Sequence, residues 1–239
     1  MTIYVLTLFP EMITGGLSHS VIGRGIEKGL IDIECINIRD FADNKHAKAD
    51  DYPYGGGAGM VMLAQPVYGA YQYAKRQAPP GVKTIYLTPQ GALFTQQTAR
   101  VFADEKDLIL LCGHYEGIDE RVIEEIAPEE ISVGDFILTG GELPAMVVID
   151  AVCRLIPGVL GGEESTVSES FTGGFLEYPQ YTRPEVWRGR KVPEVLLSGH
   201  HKNVDGWRAE QSRLRTERRR PDLIEIKVSG SKTEGSSPK

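Results

Sequence analysis

Short runs of aliphatic and β-branched residues alternate with amphipathic stretches through the first two thirds of the chain. The runs "IYVLTL", "IDIECINI", "KTIYLT", "DLILLC" and "EISVGDFIL" have the length and composition of strands. Between them, apolar positions recur at helical spacing over about residues 11–28, 65–77, 95–104, 118–126 and 142–156. Strands alternating with helices predict an α/β domain over residues 1–160, with a mainly parallel sheet covered by helices on both faces. Ligands of such sheets sit beyond the carboxyl ends of the strands. That rule places three glycine-containing loops on one rim: "TPQG" (88–91), "CGHYEG" (112–117) and "TGGELP" (139–144).

The pattern changes at "GGEESTVSESFTGG", a polar, glycine-flanked segment without periodicity that reads as a flexible linker over 161–176. Beyond it, "HKNVDGWRAEQSRLRTERRR" puts Val204, Trp207 and Leu214 on one helical stripe among arginines, predicting a small helical C-terminal domain over 177–228. Residues 229–239, "GSKTEGSSPK" with the preceding serine, read as a disordered tail.

Composition refines this picture modestly. The 239 residues carry a net charge of −7, spread unevenly. From Asp104 to Glu142 twelve acidic residues face only Lys106 and Arg121, whereas from Arg183 to Asp222 eleven Lys and Arg face six Asp and Glu. Such asymmetry fits either a polyanion-binding end or a solvated helix face. The N-terminus "MTIYVLTLFPEM" lacks the basic region and apolar core of a signal peptide, and no apolar run is long enough to span a membrane. Cys35, Cys112 and Cys153 are far apart, with neither disulfide nor metal spacing, which suits a reducing cytoplasm.

The rim loops carry the candidate chemistry. "GDFILTGGELPA" pairs Gly140 and Gly141 behind a strand-like run, yet no Gly-x-Gly-x-x-Gly and no Gly-Lys-Ser/Thr follows, so phosphate binding is a poor fit. Its backbone groups beside Phe136, Ile137 and Leu138 suit the edge and faces of an adenine, and an ordinary turn fits the segment equally well. In "CGHYEGIDERV", Glu116 suits an ammonium group and Tyr115 an apolar ligand surface; a lone loop histidine such as His114 is ordinarily structural. The long loop holding "YGGGAGM" lets backbone amides approach a base or phosphate closely, or is simply a mobile loop. Arg154 lies among apolar neighbours and needs an anion, a carbonyl or Asp150 as partner. Glu169 alone would read as a solvated carboxylate.

Taken in order, "LFPEM", "YGGGAGM", "IYLTPQG", "GHYEGIDERV", "SVGDFILTGGELPAM", "RLIPGVLG", "YPQYTRPEVW" and "VLLSGHH" resemble the bacterial tRNA (guanine-N1-)-methyltransferase family of the SPOUT class, over nearly all of the chain but its tail. The resemblance implies a deep trefoil knot in the α/β domain, a homodimer with active sites between subunits, and methyl transfer from S-adenosyl-L-methionine to N1 of the guanosine 3′ of the anticodon. It implies that Tyr86, Leu87, Gly113, Tyr115, Glu116, Gly117, Val133, Gly134, Asp135, Phe136, Ile137, Leu138, Gly140, Gly141 and Pro144 hold the methyl donor. By the same resemblance Glu169 is the general base and Arg154 stabilises charge on guanine O6. His46, Asp50, Gly59, Arg183 and Ser198 are carried over as RNA contacts. Magnesium dependence is implied too, although no spacing marks a dedicated metal site. The partners implied are tRNA and a second copy of the chain, not DNA or a membrane.

Two positions depart from the family pattern: Glu169 stands where aspartate is usual and Ala58 where the glycine loop usually has proline. A knotted ribose 2′-O-methyltransferase and a non-catalytic tRNA-binding homologue remain alternatives. An NAD-dependent oxidoreductase would need a glycine fingerprint after the first strand, where "LTLFPEM" stands instead.

Overall fold

The computed structural model describes residues 1–161 and 169–224. The chain divides into two compact units, Met1–Gly161 and Gly162–Lys239. The linker predicted over 161–176 and the C-terminal region predicted over 177–239 therefore lie partly outside the described residues, at 162–168 and 225–239.

The first unit is built on five parallel strands: β1 (Thr2–Thr7), β2 (Asp32–Asn37), β5 (Lys83–Leu93), β6 (Asp107–Cys112) and β7 (Glu129–Ser132), in the order β2-β1-β6-β5-β7. Every pairing is parallel, with Val5 opposite both Cys35 and Leu110. The central strands read as continuous apolar runs because both of their faces are covered. Ile3 and Val5 point into one core with Leu108 and Leu110, whereas Tyr4 and Leu6 point into the other with Ile109 and Leu111. A two-stranded ribbon, β3 (Asp50–Asp51) with β4 (Val61–Met62), stands beside the sheet.

Helices α1 (Pro10–Leu17), α2 (Ser20–Glu27), α4 (Gln96–Ala103) and α6 (Glu142–Cys153) bury their apolar faces in the first core. Helices α3 (Ala64–Gln77) and α5 (Glu120–Ile126) close the second. Local chemistry sets their ends. Thr95 and Thr98 form a capping box at the start of α4, and Asp119 accepts from the Arg121 amide at the start of α5. Phe102 on α4 is fully buried, with Phe94 at 6.3 Å between ring centroids. Phe102→Ala is expected to destabilise the protein by about 3–5 kcal/mol. The change should appear as a lower urea midpoint at an unchanged slope.

Three elements differ from the sequence expectation. The single helix expected over 11–28 is broken into α1 and α2, because Ser20 takes a left-handed φ of 59°. The Ser18 carbonyl then stands 2.3 Å from where a Cβ on Gly23 would be, so the break requires glycine there. "TPQG" is not a strand-to-helix loop but part of β5, where the pairing with β7 shifts register between Leu87 and Ala92. "EISVGDFIL" is a strand only as far as Ser132: Gly134 at φ 150° and a bond from the Phe136 amide to the Gly134 carbonyl turn the chain out of the sheet.

In the second unit, β8 (Val186–Trp187) and β9 (Arg190–Lys191) form a short hairpin, followed by α7 (Glu194–Leu197) and the long helix α8 (His201–Arg219). The segment before the hairpin is strapped to α8: the Leu176 amide donates to Thr216 Oγ1 (2.9 Å), and Ser212 Oγ donates to the Leu176 carbonyl (2.6 Å). Tyr181 packs near Trp207, and the Arg208 guanidinium lies over the Tyr178 ring. The covered face of α8 runs through Val204, Trp207, Ser212 and the buried Thr216, while Leu214 is off it and 43% exposed. The stripe predicted for Leu214 is thus displaced toward polar residues that satisfy the strap.

Candidate functional site

Beyond the carboxyl ends of β5, β6 and β7, three segments enclose a cavity of about 490 Å³. Residues 86–90 supply one wall, 113–118 a second, and 133–134, 136–141 and Pro144 the third. Every residue carried over as a methyl-donor contact lies on this lining except Asp135. Thr88, Pro89, Gln90, Glu120, Glu130, Ser132 and Thr139 line it as well and were not singled out from the sequence. Thr88, Pro89, Gln90 and Thr139 fall in "TPQG" and "TGGELP", so their place on the rim was the available signal.

The loops meet where side chains are absent. The Gly141 amide donates to the Gly113 carbonyl at 2.8 Å, and His114 pairs antiparallel with Gly140. A Cβ on Gly141 would stand 2.7 Å from Cys112 Cα and 3.0 Å from the Gly113 nitrogen. A Cβ on Gly113 would stand 3.0 Å from the Tyr86 ring. Burial pushes the Tyr86 phenol up from its ordinary pKa, so it remains a neutral hydroxyl at physiological pH.

Charge distinguishes the cavity. Among the described residues its lining includes Glu116, Glu120 and Glu130 and no Lys or Arg. A phosphate would meet carboxylates and no cation, whereas a ligand bearing positive charge would meet favourable ones. Phe136 and Ile137, 55% and 80% exposed, add apolar surface at the mouth. Arg39 Nη2 reaches the Tyr115 hydroxyl at 3.4 Å from outside.

The glycine-rich loop is stitched to this site. The Glu116 amide donates to the Met60 carbonyl, the Met62 amide to Gly117, and the Asp119 amide to Met62. Gly59, at φ 85°, lies against Glu116, whose Oε1 would be 2.5 Å from a Cβ there. Asp50 reaches the same ribbon by pairing with Met62. His46 lies exposed in the preceding turn, its amide bonded to Asn44 Oδ1.

The other expected residues lie elsewhere. Arg154 caps the end of α6, its amide on the Asp150 carbonyl, and lines a separate hollow of about 330 Å³ with Gly16, Leu17, His19 and Asp150. Glu169, Arg183 and Ser198 belong to the second unit. Glu169 is half-buried at the head of a tight turn in which the Ser170 hydroxyl accepts from the Glu177 amide and the Phe171 amide donates to Phe175. Arg183 is exposed, and Ser198 ends α7 with its hydroxyl on the Val195 carbonyl.

All three thiols are held protonated by burial: Cys35 is pushed up to about 11, Cys153 to about 12, and Cys112 well above its ordinary value. Native-state alkylation at pH 8 is therefore expected to be about 10²-fold slower than in urea, measured by iodoacetamide labelling and mass spectrometry. Because the folded thiols keep protons that unfolded ones release near pH 9, this stabilisation is present below pH 9 and lost as pH rises toward 12.

A family model described as tRNA (Guanine-1)-methyltransferase TrmD matches residues 1–226. The chain belongs to this family. Relatives named tRNA (guanine-N(1)-)-methyltransferase match it over most of their length. The protein of Lachnospira eligens is 56% identical over 225 residues, 94% of this chain and 95% of the relative. That of Ruminiclostridium cellulolyticum is 57% identical over 220 residues, 92% and 94% of the two chains. That of Geobacillus kaustophilus is 55% identical over 225 residues, 94% and 92%.

Proposed function

We propose that this protein transfers a methyl group from S-adenosyl-L-methionine to N1 of the guanosine immediately 3′ of the anticodon in tRNA. The observation that carries the reading is the rim cavity: glycines where loops must touch, apolar mouth residues, and, among the described residues of the lining, three carboxylates and no cation. Such a lining fits a donor that bears an adenine, a sulfonium and an ammonium but no phosphate. When bound, that donor supplies an electrophilic methyl carbon and leaves as a neutral thioether.

The residues of the chain do the rest. Guanine N1 is protonated at neutral pH, so its lone pair is free only after a base takes the proton. Glu169 is assigned that role, its carboxylate becoming a carboxylic acid as N1 is methylated. Negative charge that grows on O6 is met by the Arg154 guanidinium. Gly59, Asp50 and His46 face the target base from the loop stitched to Glu116, while Arg183, Ser198 and the arginines of α8 position the RNA backbone.

A trefoil knot is supported by the path after β7. From the sheet edge the chain returns to bond Gly113 at the end of β6, and α6 then packs against α1, α4, β1 and β6. A homodimer is supported by exposed apolar residues on α1 and α6, Met12, Leu143 and Val147. The partner chain would bring its second unit to this cavity.

The reading is tested with labelled methyl donor and two tRNA transcripts, one with guanosine after the anticodon and one with adenosine. Label is expected in the first alone. Equal labelling of both would sink the assignment.

A further inference from the structure

Beneath the cavity lies a buried polar group that the proposed reaction does not use. Glu142, the first residue of α6, is 2% exposed. Its Oε1 accepts from Thr7 Oγ1 at 2.8 Å, and that hydroxyl in turn accepts from the Phe9 amide at 2.9 Å. Its Oε2 faces His114 Nδ1 at 3.8 Å. Nδ1 is buried and makes no hydrogen bond among the described residues. The imidazole is held on its flanks by Phe9, 5.1 Å between centroids, and by Tyr115, edge-on at 4.8 Å. The neighbouring Cys112 thiol keeps its proton because of burial first and the Glu142 charge second.

The gap between carboxylate and ring is a feature of the loop sequence. A Cβ on Gly140 would stand 2.3 Å from His114 Nδ1 and 2.5 Å from Glu142 Oε2, so only glycine there leaves the two groups in line. The separation exceeds a good N–H···O bond by somewhat less than about 1 Å. A small movement of residues 113–117 toward α6 closes it. A buried carboxylate and a buried ring nitrogen left apart are both costly, so closure has a driving force.

We infer that Glu142 is a positioning residue for the methyl-donor site: it fixes His114 with its proton on Nδ1 and draws that ring onto its carboxylate when the donor binds. The other ring nitrogen, Nε2, is then a lone-pair acceptor on a residue that lines the cavity, suited to an N–H or O–H of the ligand. This inference rests on the cavity being the donor site. It assigns Glu142 no proton transfer and no contact with the reacting atoms.

The test uses S-adenosylhomocysteine binding by calorimetry together with nitrogen NMR of the His114 ring. Glu142→Gln keeps an acceptor for Thr7 but loses the charge facing Nδ1; it is expected to weaken binding at least about 10-fold while the unliganded thermal midpoint stays close to that of the parent. Asparagine superposes its amide on the Nδ1 edge of histidine, glutamine on the Nε2 edge. His114→Asn therefore keeps the edge facing Glu142 but loses the Nε2 acceptor, and His114→Gln does the reverse, so each should bind the ligand more weakly than the parent. In the unaltered protein, saturation with the ligand should leave Nδ1 protonated and Nε2 bare, a readout that needs no variant to fold. Unchanged affinity in Glu142→Gln, or a proton on Nε2 in the complex, overturns the inference. Failure of the unaltered protein to bind the ligand would instead overturn the reading of the cavity.

Discussion

Replacing Glu169 with glutamine is expected to reduce turnover by about 10²–10⁴-fold, the usual contribution of a positioned general base. Affinity for S-adenosylhomocysteine should be unchanged, because Glu169 is not among the described residues that line the donor cavity. The amide keeps the size of the side chain and removes its ability to take the N1 proton. The turn that presents residue 169 should survive, since the bonds from the Glu177 amide to the Ser170 hydroxyl and from the Phe171 amide to the Phe175 carbonyl remain. Single-turnover kinetics on unmodified tRNA separate the chemical step from RNA binding. Retention of full turnover would remove Glu169 from the role. Glu169→Asp shortens the arm by one methylene toward the usual family residue, and its rate reports whether the longer arm is matched to this active site or merely tolerated.

The second large effect is expected at Gly141. Alanine there places its Cβ against Cys112 Cα and the Gly113 nitrogen, and backbone cannot swing aside as a flexible side chain can. The Gly141 to Gly113 bond must stretch, prising apart two of the three donor-site loops. Overpacking of this kind costs about 1–3 kcal/mol, or ~2–4 °C of thermal midpoint per kcal/mol for a chain of this length. Binding of S-adenosylhomocysteine should fall further than stability does, because the displaced atoms are those of the lining. Gly15→Ala is the control: nothing lies within 4 Å of its Cβ position, and helix propensity favours alanine by up to ~1 kcal/mol. Normal donor affinity in Gly141→Ala would show that the loops can separate without consequence.

Much of this site was legible because it depends on local patterns. The strand-loop-helix alternation placed "CGHYEG" and "TGGELP" on one rim, and the missing phosphate fingerprint matched a cavity whose described lining holds no Lys or Arg. What was not legible depends on contacts far apart in sequence. Glu142 reads as an ordinary first-turn residue of a helix; its partner Thr7 is 135 positions away. His114 reads as a lone loop histidine until Gly140 is seen to hold open the path to that carboxylate. "EISVGDFIL" keeps strand composition to its end, but the turn at Gly134 frees Phe136 and Ile137 to line the cavity mouth. Leu214 follows helical periodicity, yet the strap selects Ser212 and Thr216 for the covered face of α8 because they can bond Leu176. A knot leaves no periodic trace at all, and its expectation came from family resemblance alone.

The most direct test of the proposed reaction is the identity of the methylated nucleoside. Protein, unmodified tRNA and labelled S-adenosyl-L-methionine are incubated together, the RNA is digested to nucleosides, and the labelled species is identified by chromatography and mass spectrometry. The expected product is 1-methylguanosine, from the position following the anticodon. A 2′-O-methylated nucleoside, or no labelled nucleoside from protein that binds both donor and tRNA, would contradict it.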